Sequence, residues 1–219
     1  MNIPAASRFT KAMTLLEVLV VIVIIGIMFF VMFPYHPGGH YKAKQVACLS
    51  NLRQISIAFN SFASDHSTNF PWQLSMTNGG TLELITTGSP GPQFEIVSNY
   101  LAPHLVVLHC PFDISRAAAL NLTAPFHTTN ISYFCGLDAT PLQPQSILAG
   151  DRNLQVSGLR VSPGLLFVAT NTLIAWTRDS HKTGIGSAAF ADGHGEVSRT
   201  NLSALFRRQN LATNLLAIP

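Results

Sequence analysis

The residue of this sequence that most needs a chemical partner is Glu17, the only charge in the apolar run 13–33. A carboxylate in a membrane helix costs about 2.5–3.5 kcal/mol at mid-bilayer and less near an end, and it usually pairs with a cation. No lysine or arginine lies one helical turn away within the run. An α-amino group created by cleavage just before Met13 would supply that cation at the right depth, from this chain or from a neighbouring copy.

The three cysteines offer thiol chemistry, but their spacing fits no zinc motif. Cys110 and Cys135 lie at the ends of two predicted strands. In an oxidising compartment, a disulfide between them is one interpretation, and separate reduced thiols are the other. Cys48 is predicted to be a small buried hydrophobic residue. A metal site built from residues 104, 109, 110 and 113 is disfavoured, because histidines five positions apart on a strand face opposite sides.

A third group with chemical potential is His181, Asp192 and His194. Asp192 and His194 flank a predicted hairpin turn, and His181 could reach them across strands. The three side chains would suit a divalent cation or a sugar hydroxyl, and we expect no other cofactor. Asp192-Gly193 is also what a tight turn requires, so turn chemistry is the interpretation that we favour.

Motifs for catalysis are missing from the sequence, and we expect that the protein is not an enzyme. It has no Gly-x-Ser-x-Gly nucleophile elbow and no His-Glu-x-x-His zinc helix. Its ten acidic residues form no convincing pair. The net charge is +3, and no basic patch with interleaved aromatic residues occurs, so we do not expect nucleic acid binding.

The apolar run is the element that must position Glu17. As a helix, residues 13–33 would span roughly 31 Å, about the thickness of the hydrocarbon layer. A secretory signal peptide has a shorter apolar core of about 7–15 residues and a small-residue cleavage site after it. The run therefore predicts a membrane anchor in the lipid bilayer. Lysines and arginines flank both ends, so their distribution does not fix the orientation.

The rest of the chain predicts a second helix followed by a sheet. Residues 34–41 contain prolines and glycines that end or kink a helix. From there to residue 65, Val46, Leu49, Leu52, Ile55, Phe59 and Phe62 recur at spacings of three and four, which indicates an amphipathic helix that a sheet would cover. Short apolar runs then read as strands: LELITT, EIVSNYL, LVVLHC, ISYFCG, SILAG, LLFVAT, TLIAWT and SAAFA. FADGHGEV predicts a hairpin, and Asn201 would cap a last helix.

The segment KAMTLLEVLVVIVIIGIM resembles the N-terminal motif of type IV prepilins and type II secretion pseudopilins. That motif has a basic leader, a small residue, the cleavage site, a hydrophobic residue, Thr-Leu-x-Glu and an apolar helix. The resemblance implies cleavage between Ala12 and Met13 by prepilin peptidase and N-methylation of Met13. It also implies that Glu17 recruits the amine of an adjacent subunit during assembly. Ala12 stands where the family usually has Gly, and Met13 where it usually has Phe. A plain membrane anchor is the alternative.

Further segments are similar to a branch of pseudopilin-like proteins. They are CLSNLRQISIAFNSFASDHSTNFP, HCPFD, SYFCG and FADGHGEV. The C-terminal hallmark of that branch is a His, nine residues and then Asp-Gly. Here ten residues separate His181 from Asp192.

Together these observations predict an α+β, pilin-like fold. Its parts are a leader (1–12), a transmembrane assembly helix (13–34), a helix breaker with an amphipathic helix (35–65) and a globular β-rich domain (66–219). The resemblance implies a filament subunit with prepilin peptidase, other pilin or pseudopilin subunits and an inner-membrane assembly platform as partners. It places the chain in a bacterial inner membrane as a single-pass protein, with its C-terminal domain periplasmic or extracellular. The alternative function is a membrane-anchored module that binds carbohydrate or metal.

Overall fold

The structure is a computed structural model that describes residues 13–32, 39–101, 105–119, 128–181, 184–199, 201–209 and 211–219. The chain divides into two compact units, Met1–His40 and Tyr41–Pro219. It is an α+β protein with an N-terminal apolar helix and an antiparallel sheet, as the sequence predicts at that level.

The first unit contains helix α1, Leu15–Met32, and no residue of α1 is buried. Its 18 residues give a length of about 27 Å. This helix is long and apolar enough to cross a membrane, a property that by itself does not distinguish an anchor from a signal sequence. The result is compatible with the predicted single-pass anchor.

Helix α2, Gly39–Asp65, is the amphipathic helix that the spacing predicts. Leu52, Ile55, Phe59 and Phe62 of the predicted stripe are buried. Val46 is 65% exposed, so the buried face begins later in the helix than its first predicted residue. Two polar side chains fix the helix to the sheet: the Ser56 hydroxyl donates to the carbonyl of Phe190 at 2.8 Å, and the Asn60 amide donates to that of Ala191 at 2.9 Å.

Two antiparallel sheets follow in the second unit. Within the described residues, the larger has six strands in the order β5-β9-β1-β2-β7-β8, and the smaller has the order β4-β3-β6. The strands are β1 Tyr133–Gly136, β2 Ile147–Asp151, β3 Leu154–Val156, β4 Leu159–Arg160, β5 Gly164–Ala169, β6 Ile174–Trp176, β7 Gly186–Phe190, β8 Gly195–Ser198 and β9 Thr213–Ile218.

Strands β1, β2 and β7 of the larger sheet are buried on both faces. Neighbouring residues of β1 point to opposite sides: Tyr133 joins the core beneath α2, and Phe134 joins a second core. The smaller sheet and helix α5, Leu202–Phe206, cover that second core. The contact is close, because a Cβ added to Gly186 of β7 would lie only 2.1 Å from the Trp176 ring of β6.

Three predicted strands are helical. LELITT forms a 3₁₀ helix at Leu82–Thr87, EIVSNYL falls in α3 (Gly91–Ile96) and α4 (Ser98–Leu101), and LVVLHC contains a 3₁₀ helix at Leu105–Leu108. A short apolar run cannot be assigned to strand or helix by periodicity alone. Pro92, at the start of α3, was the signal for a helix, because its fixed φ and missing N–H suit the first turn. Other 3₁₀ helices lie at Pro71–Gln73, Met76–Asn78, Thr128–Asn130 and Arg207–Gln209.

The end of the chain departs from the prediction in one respect. The Asp192-Gly193 hairpin is confirmed between β7 and β8, and Gly193 adopts the positive φ of +91° that such a turn needs. Asn201 occupies the N-cap position of α5, although its side chain makes no cap hydrogen bond. The predicted last helix is short, and Thr213–Ile218 instead forms β9, which lies between β1 and β5.

A disulfide fastens α2 to the segment that follows residue 108. It joins Cys48 to Cys110 with a Cα–Cα distance of 5.2 Å, and Cys135 is a buried free thiol. This pairing differs from both interpretations of the sequence, a Cys110–Cys135 disulfide or separate reduced thiols, and from the prediction that Cys48 is simply a buried hydrophobic residue. The physical reason is that Cys135 lies within the sheet, opposite Ala149 and Ala217, whereas the buried face of α2 brings Cys48 to Cys110.

We predict that Cys48→Ala lowers the free energy of unfolding by about 4 kcal/mol, because the disulfide closes a loop with a sequence separation of 62 residues. Denaturant titration of the full chain in detergent measures the change. Non-reducing peptide mapping should give a linked Cys48–Cys110 peptide, and Cys135→Ala, the control, should leave that link in place. A Cys110–Cys135 peptide from the native chain would contradict the prediction.

Candidate functional site

The first candidate site is the beginning of α1. Thr14 precedes the helix, and both its carbonyl and its hydroxyl accept the backbone N–H of Glu17, at 3.0 Å and 3.3 Å. The hydroxyl therefore satisfies one of the four N–H groups that a helix leaves unpaired at its start. Glu17 is the third helical residue, where a carboxylate also interacts favourably with the helix dipole. Local structure thus gives Glu17 one reason to be acidic.

Local capping does not account for the surface around Glu17. The neighbouring side chains of Leu15, Leu16 and Val18 are exposed, as is the rest of α1. An exposed apolar surface of this extent requires lipid or another protein surface to cover it. Met13 is 62% exposed, and Ala12, on the other side of the predicted cleavage site, lies outside the described residues.

The second candidate site is a buried cluster of Cys48, Cys110, Asp151 and His181. One potential metal-ligand atom from each lies within 4.8 Å of the others. Nε2 of His181 is 3.3 Å from Oδ2 of Asp151 and 3.7 Å from Sγ of Cys110. All four side chains are almost completely buried.

Each member of this cluster comes from a different part of the fold. Cys48 comes from α2, Cys110 follows the 3₁₀ helix 105–108, Asp151 ends β2, and His181 precedes β7. The backbone N–H of Ser187 donates to Oδ2 of Asp151 at 2.7 Å, which ties the carboxylate to β7. Asp151 was not predicted as a site residue; its only signal was that an acid follows the apolar strand SILAG.

Two buried polar atoms of the cluster are unpaired. Oδ1 of Asp151 and Nδ1 of His181 have no hydrogen-bond partner among the residues that the structure describes. Burying a carboxylate oxygen without a partner is costly, because the protein interior solvates charge poorly. Most buried polar atoms in proteins are paired, so two orphans in one cluster call for an explanation.

The structure does not bring His181 together with Asp192 and His194. Asp192 and His194 lie at the β7–β8 turn, where Oδ1 of Asp192 accepts the backbone N–H of His194 at 3.0 Å and lies 2.5 Å from its ring Nδ1. His181 lies at the other end of β7, beside the carboxylate of Asp151, which accepts the backbone N–H of Ser187. Ser187 lies near the His181 end of β7, and Phe190 lies at the end that enters the turn. These two residues are three positions apart, which corresponds to about 10 Å along a strand. His181, Asp192 and His194 therefore do not form one site, and Asp192 and His194 hydrogen-bond to each other within the β7–β8 turn.

The disfavoured metal set around residue 109 is also separated in the described residues. His109 Nε2 lies 3.2 Å from the backbone carbonyl of Asp113, while the Asp113 carboxylate pairs with Arg152 at 2.7 Å. Residue 104 lies outside the described residues.

A cavity of about 460 Å³ lies beside the Asp113–Arg152 pair. Its lining includes Arg160 and Asp179, which also pair with each other, at 2.8 Å. Both arginines of the lining are thus neutralised by carboxylates that line the same cavity. An anionic ligand would have to compete with those carboxylates for the arginines. The charges that line the cavity therefore do not indicate a class of ligand.

Comparisons with known proteins identify no relative. No protein-family model, no curated protein and no solved structure matches the chain.

We predict that Asp113→Asn destabilises the protein by about 3 kcal/mol at neutral pH, because it leaves the largely buried Arg152 without its carboxylate. Asp179→Asn is the matched control. Its partner Arg160 has a side chain that is 75% exposed, so the loss should stay below about 1 kcal/mol. Urea unfolding of the full chain in detergent compares the two variants, and equal losses would contradict the prediction.

The Asp113 effect should also depend on pH. Burial is the largest single influence and favours the neutral acid, but hydrogen bonds from Arg152 and Ser115 and the charge of Arg152 together outweigh it. The pKa of Asp113 is therefore lowered, and in the unfolded chain it is about 3.9. The stabilisation is complete above that value and is lost as the pH falls through the folded-state pKa. The difference in the free energy of unfolding between native and Asp113→Asn protein should therefore shrink as the pH falls below about 3.9.

Proposed function

We propose that this chain is a prepilin-like subunit of a type IV pilus-like or type II secretion pseudopilus filament. The observation that carries the proposal is α1: an apolar helix without a buried residue, whose one charge lies in its first turn. A surface of this kind is satisfied by lipid before assembly and by other copies of α1 within a filament. The carboxylate then has a use beyond capping, as the partner of a cation that arrives with the next subunit.

The proposed sequence of events begins in the bacterial inner membrane, with the leader in the cytoplasm and the globular domain outside. Prepilin peptidase cuts between Ala12 and Met13 and methylates the new amine. An inner-membrane assembly platform then moves the subunit into the filament through α1. The amphipathic helix α2 packed on an antiparallel sheet supports this proposal, because a pilin-like domain has the same outline. The protein acts mechanically in this proposal, as a structural subunit.

We predict that the protein purified from membranes, after expression with a prepilin peptidase, begins with N-methylated Met13. Intact-mass measurement and N-terminal peptide sequencing read both changes. Ala12→Leu should retain the leader, because the motif requires a small residue before the cut. Native protein that still begins at Met1 in the presence of an active peptidase would contradict the proposal and leave a plain anchor.

We predict that Glu17→Gln leaves insertion and cleavage intact but impairs assembly. Glutamine can replace glutamate as the third residue of a capped helix, so the variant removes the charge and keeps the local role. An amine left unpaired in hydrocarbon costs up to about 2.5–3.5 kcal/mol, and less near a helix end, so subunit association should weaken by up to roughly 100-fold. Site-specific crosslinking between α1 helices in membranes measures that association.

Thr14→Ala is the matched control for the Glu17 variant. It removes the capping hydroxyl at a cost of about 1 kcal/mol to the helix and keeps the carboxylate, so its association should remain near native. If Glu17→Gln associates like the native chain, Glu17 acts only at the helix start, and the proposed pairing is wrong.

A further inference from the structure

The buried cluster of Cys48, Cys110, Asp151 and His181 has the composition of a transition-metal site. Two cysteine sulfurs, one imidazole nitrogen and one carboxylate oxygen are all established zinc ligands. Thiolates select zinc-class ions over calcium and magnesium, which prefer oxygen ligands. The donor set therefore points to one class of cation, in contrast to an acidic surface cluster.

The spacing of the donors fits tetrahedral coordination. Zinc bonds of about 2.0–2.3 Å place neighbouring ligand atoms of a tetrahedron roughly 3.3–3.8 Å apart. Nε2 of His181 lies 3.3 Å from Oδ2 of Asp151 and 3.7 Å from Sγ of Cys110. The disulfide holds the remaining sulfur, of Cys48, beside that of Cys110. Breaking the Sγ–Sγ bond frees both sulfurs to separate to the same spacing.

The electrostatics of the cluster favour a cation. The Asp151 carboxylate is buried, one of its oxygens has no hydrogen-bond partner among the described residues, and the nearby Arg152 is already bound to Asp113. The other oxygen accepts the Ser187 N–H and faces Nε2 of His181. A neutral imidazole leaves this buried carboxylate without a compensating charge, and a divalent ion at the cluster would supply one. His181 presents Nε2 to the same point, so a nitrogen ligand and an oxygen ligand are already directed there.

We propose that Cys48, Cys110, Asp151 and His181 form a buried site for a zinc-class divalent cation when the two cysteines are thiols, and that the Cys48–Cys110 disulfide is the metal-free state of the same site. The protein then has two alternative cross-links between α2 and the segment after residue 108. One is covalent, and the other is a metal ion that also engages the sheet through Asp151.

Conversion of the disulfide state to the thiol state requires a two-electron reductant, and a phosphine can supply the two electrons. The phosphine delivers two electrons to the Sγ–Sγ bond and becomes a phosphine oxide with an oxygen from water. The two protons of that water protonate the sulfurs, so that two thiols result. Binding of the divalent cation then displaces both thiol protons to solvent, because the thiolate is the form that binds metal.

Phe112 packs against the His181 ring of the cluster. Its ring centroid lies 4.4 Å from that of His181, and its other neighbours include the Tyr41 ring at 4.9 Å. Phe112 is only partly buried, and Nζ of Lys44 lies 5.8 Å from its ring centroid.

The test uses the full chain in detergent, in its disulfide form and after reduction with a phosphine, and adds Co²⁺ or Zn²⁺. We expect the reduced protein to bind an equimolar amount of metal and the disulfide form to bind none. With Co²⁺, thiolate-to-cobalt charge-transfer absorption and tetrahedral d–d bands should appear. The comparison needs no mutation, so misfolding of a variant cannot obscure it. If reduced and oxidised protein bind equal amounts, the proposal is wrong.

Ligand variants then test which residues hold the ion. Asp151→Asn and His181→Gln, checked for folding by circular dichroism, should weaken Zn²⁺ binding by the reduced chain more than about 10-fold. Cys48→Ser should weaken the charge-transfer band, because only one thiolate ligand remains. Cys135→Ala controls for the other thiol, and His194→Gln controls for the exposed histidine; both should bind like the native chain. Loss of binding in Cys135→Ala, or native affinity in both Asp151→Asn and His181→Gln, would overturn the assignment.

Discussion

The constraint on which the globular unit depends is that strands β1, β2 and β7 of the larger sheet must be covered on both faces. Alternate residues of a strand point to opposite sides, and in β1 both Tyr133 and Phe134 are fully buried. A sheet with apolar side chains on both faces needs two covering layers. Helix α2 supplies one, and the smaller sheet with α5 supplies the other. The alanines and glycines of β2 and β7 permit these layers to approach closely.

Helix α2 contributes Cys48 to the buried cluster with Cys110, Asp151 and His181. Because α2 lies on the sheet, Cys48 on its buried face lies near Asp151 at the end of β2 and His181 before β7. Cys48 is bonded to Cys110, which in turn lies 3.7 Å from Nε2 of His181. The polar contacts of Ser56 and Asn60 with the carbonyls at residues 190 and 191 fix the helix at that position. A buried carboxylate is thus retained at a point where several elements of the fold converge.

Helix α1 differs from α2 because all of its residues are exposed. An apolar surface of this extent requires lipid or another protein surface to cover it. The proposed filament function and the proposed metal site are therefore independent of each other. The first concerns the surface of α1 and the charge of Glu17, and the second concerns a closed cluster inside the globular unit.

The sequence alone determined the elements that are specified by local signals. The apolar run, the three-and-four spacing of α2 and the Asp192-Gly193 turn each encode their structure within a few adjacent residues. Short apolar runs such as LELITT do not, because tertiary contacts decide whether they become strand or helix. Only the tertiary structure decided the partner of Cys110 and the neighbours of His181. Cysteine pairing cannot be deduced from spacing, and Asp151 lies 30 positions before His181 in the chain and is brought to it by the pairing of β2 with β7.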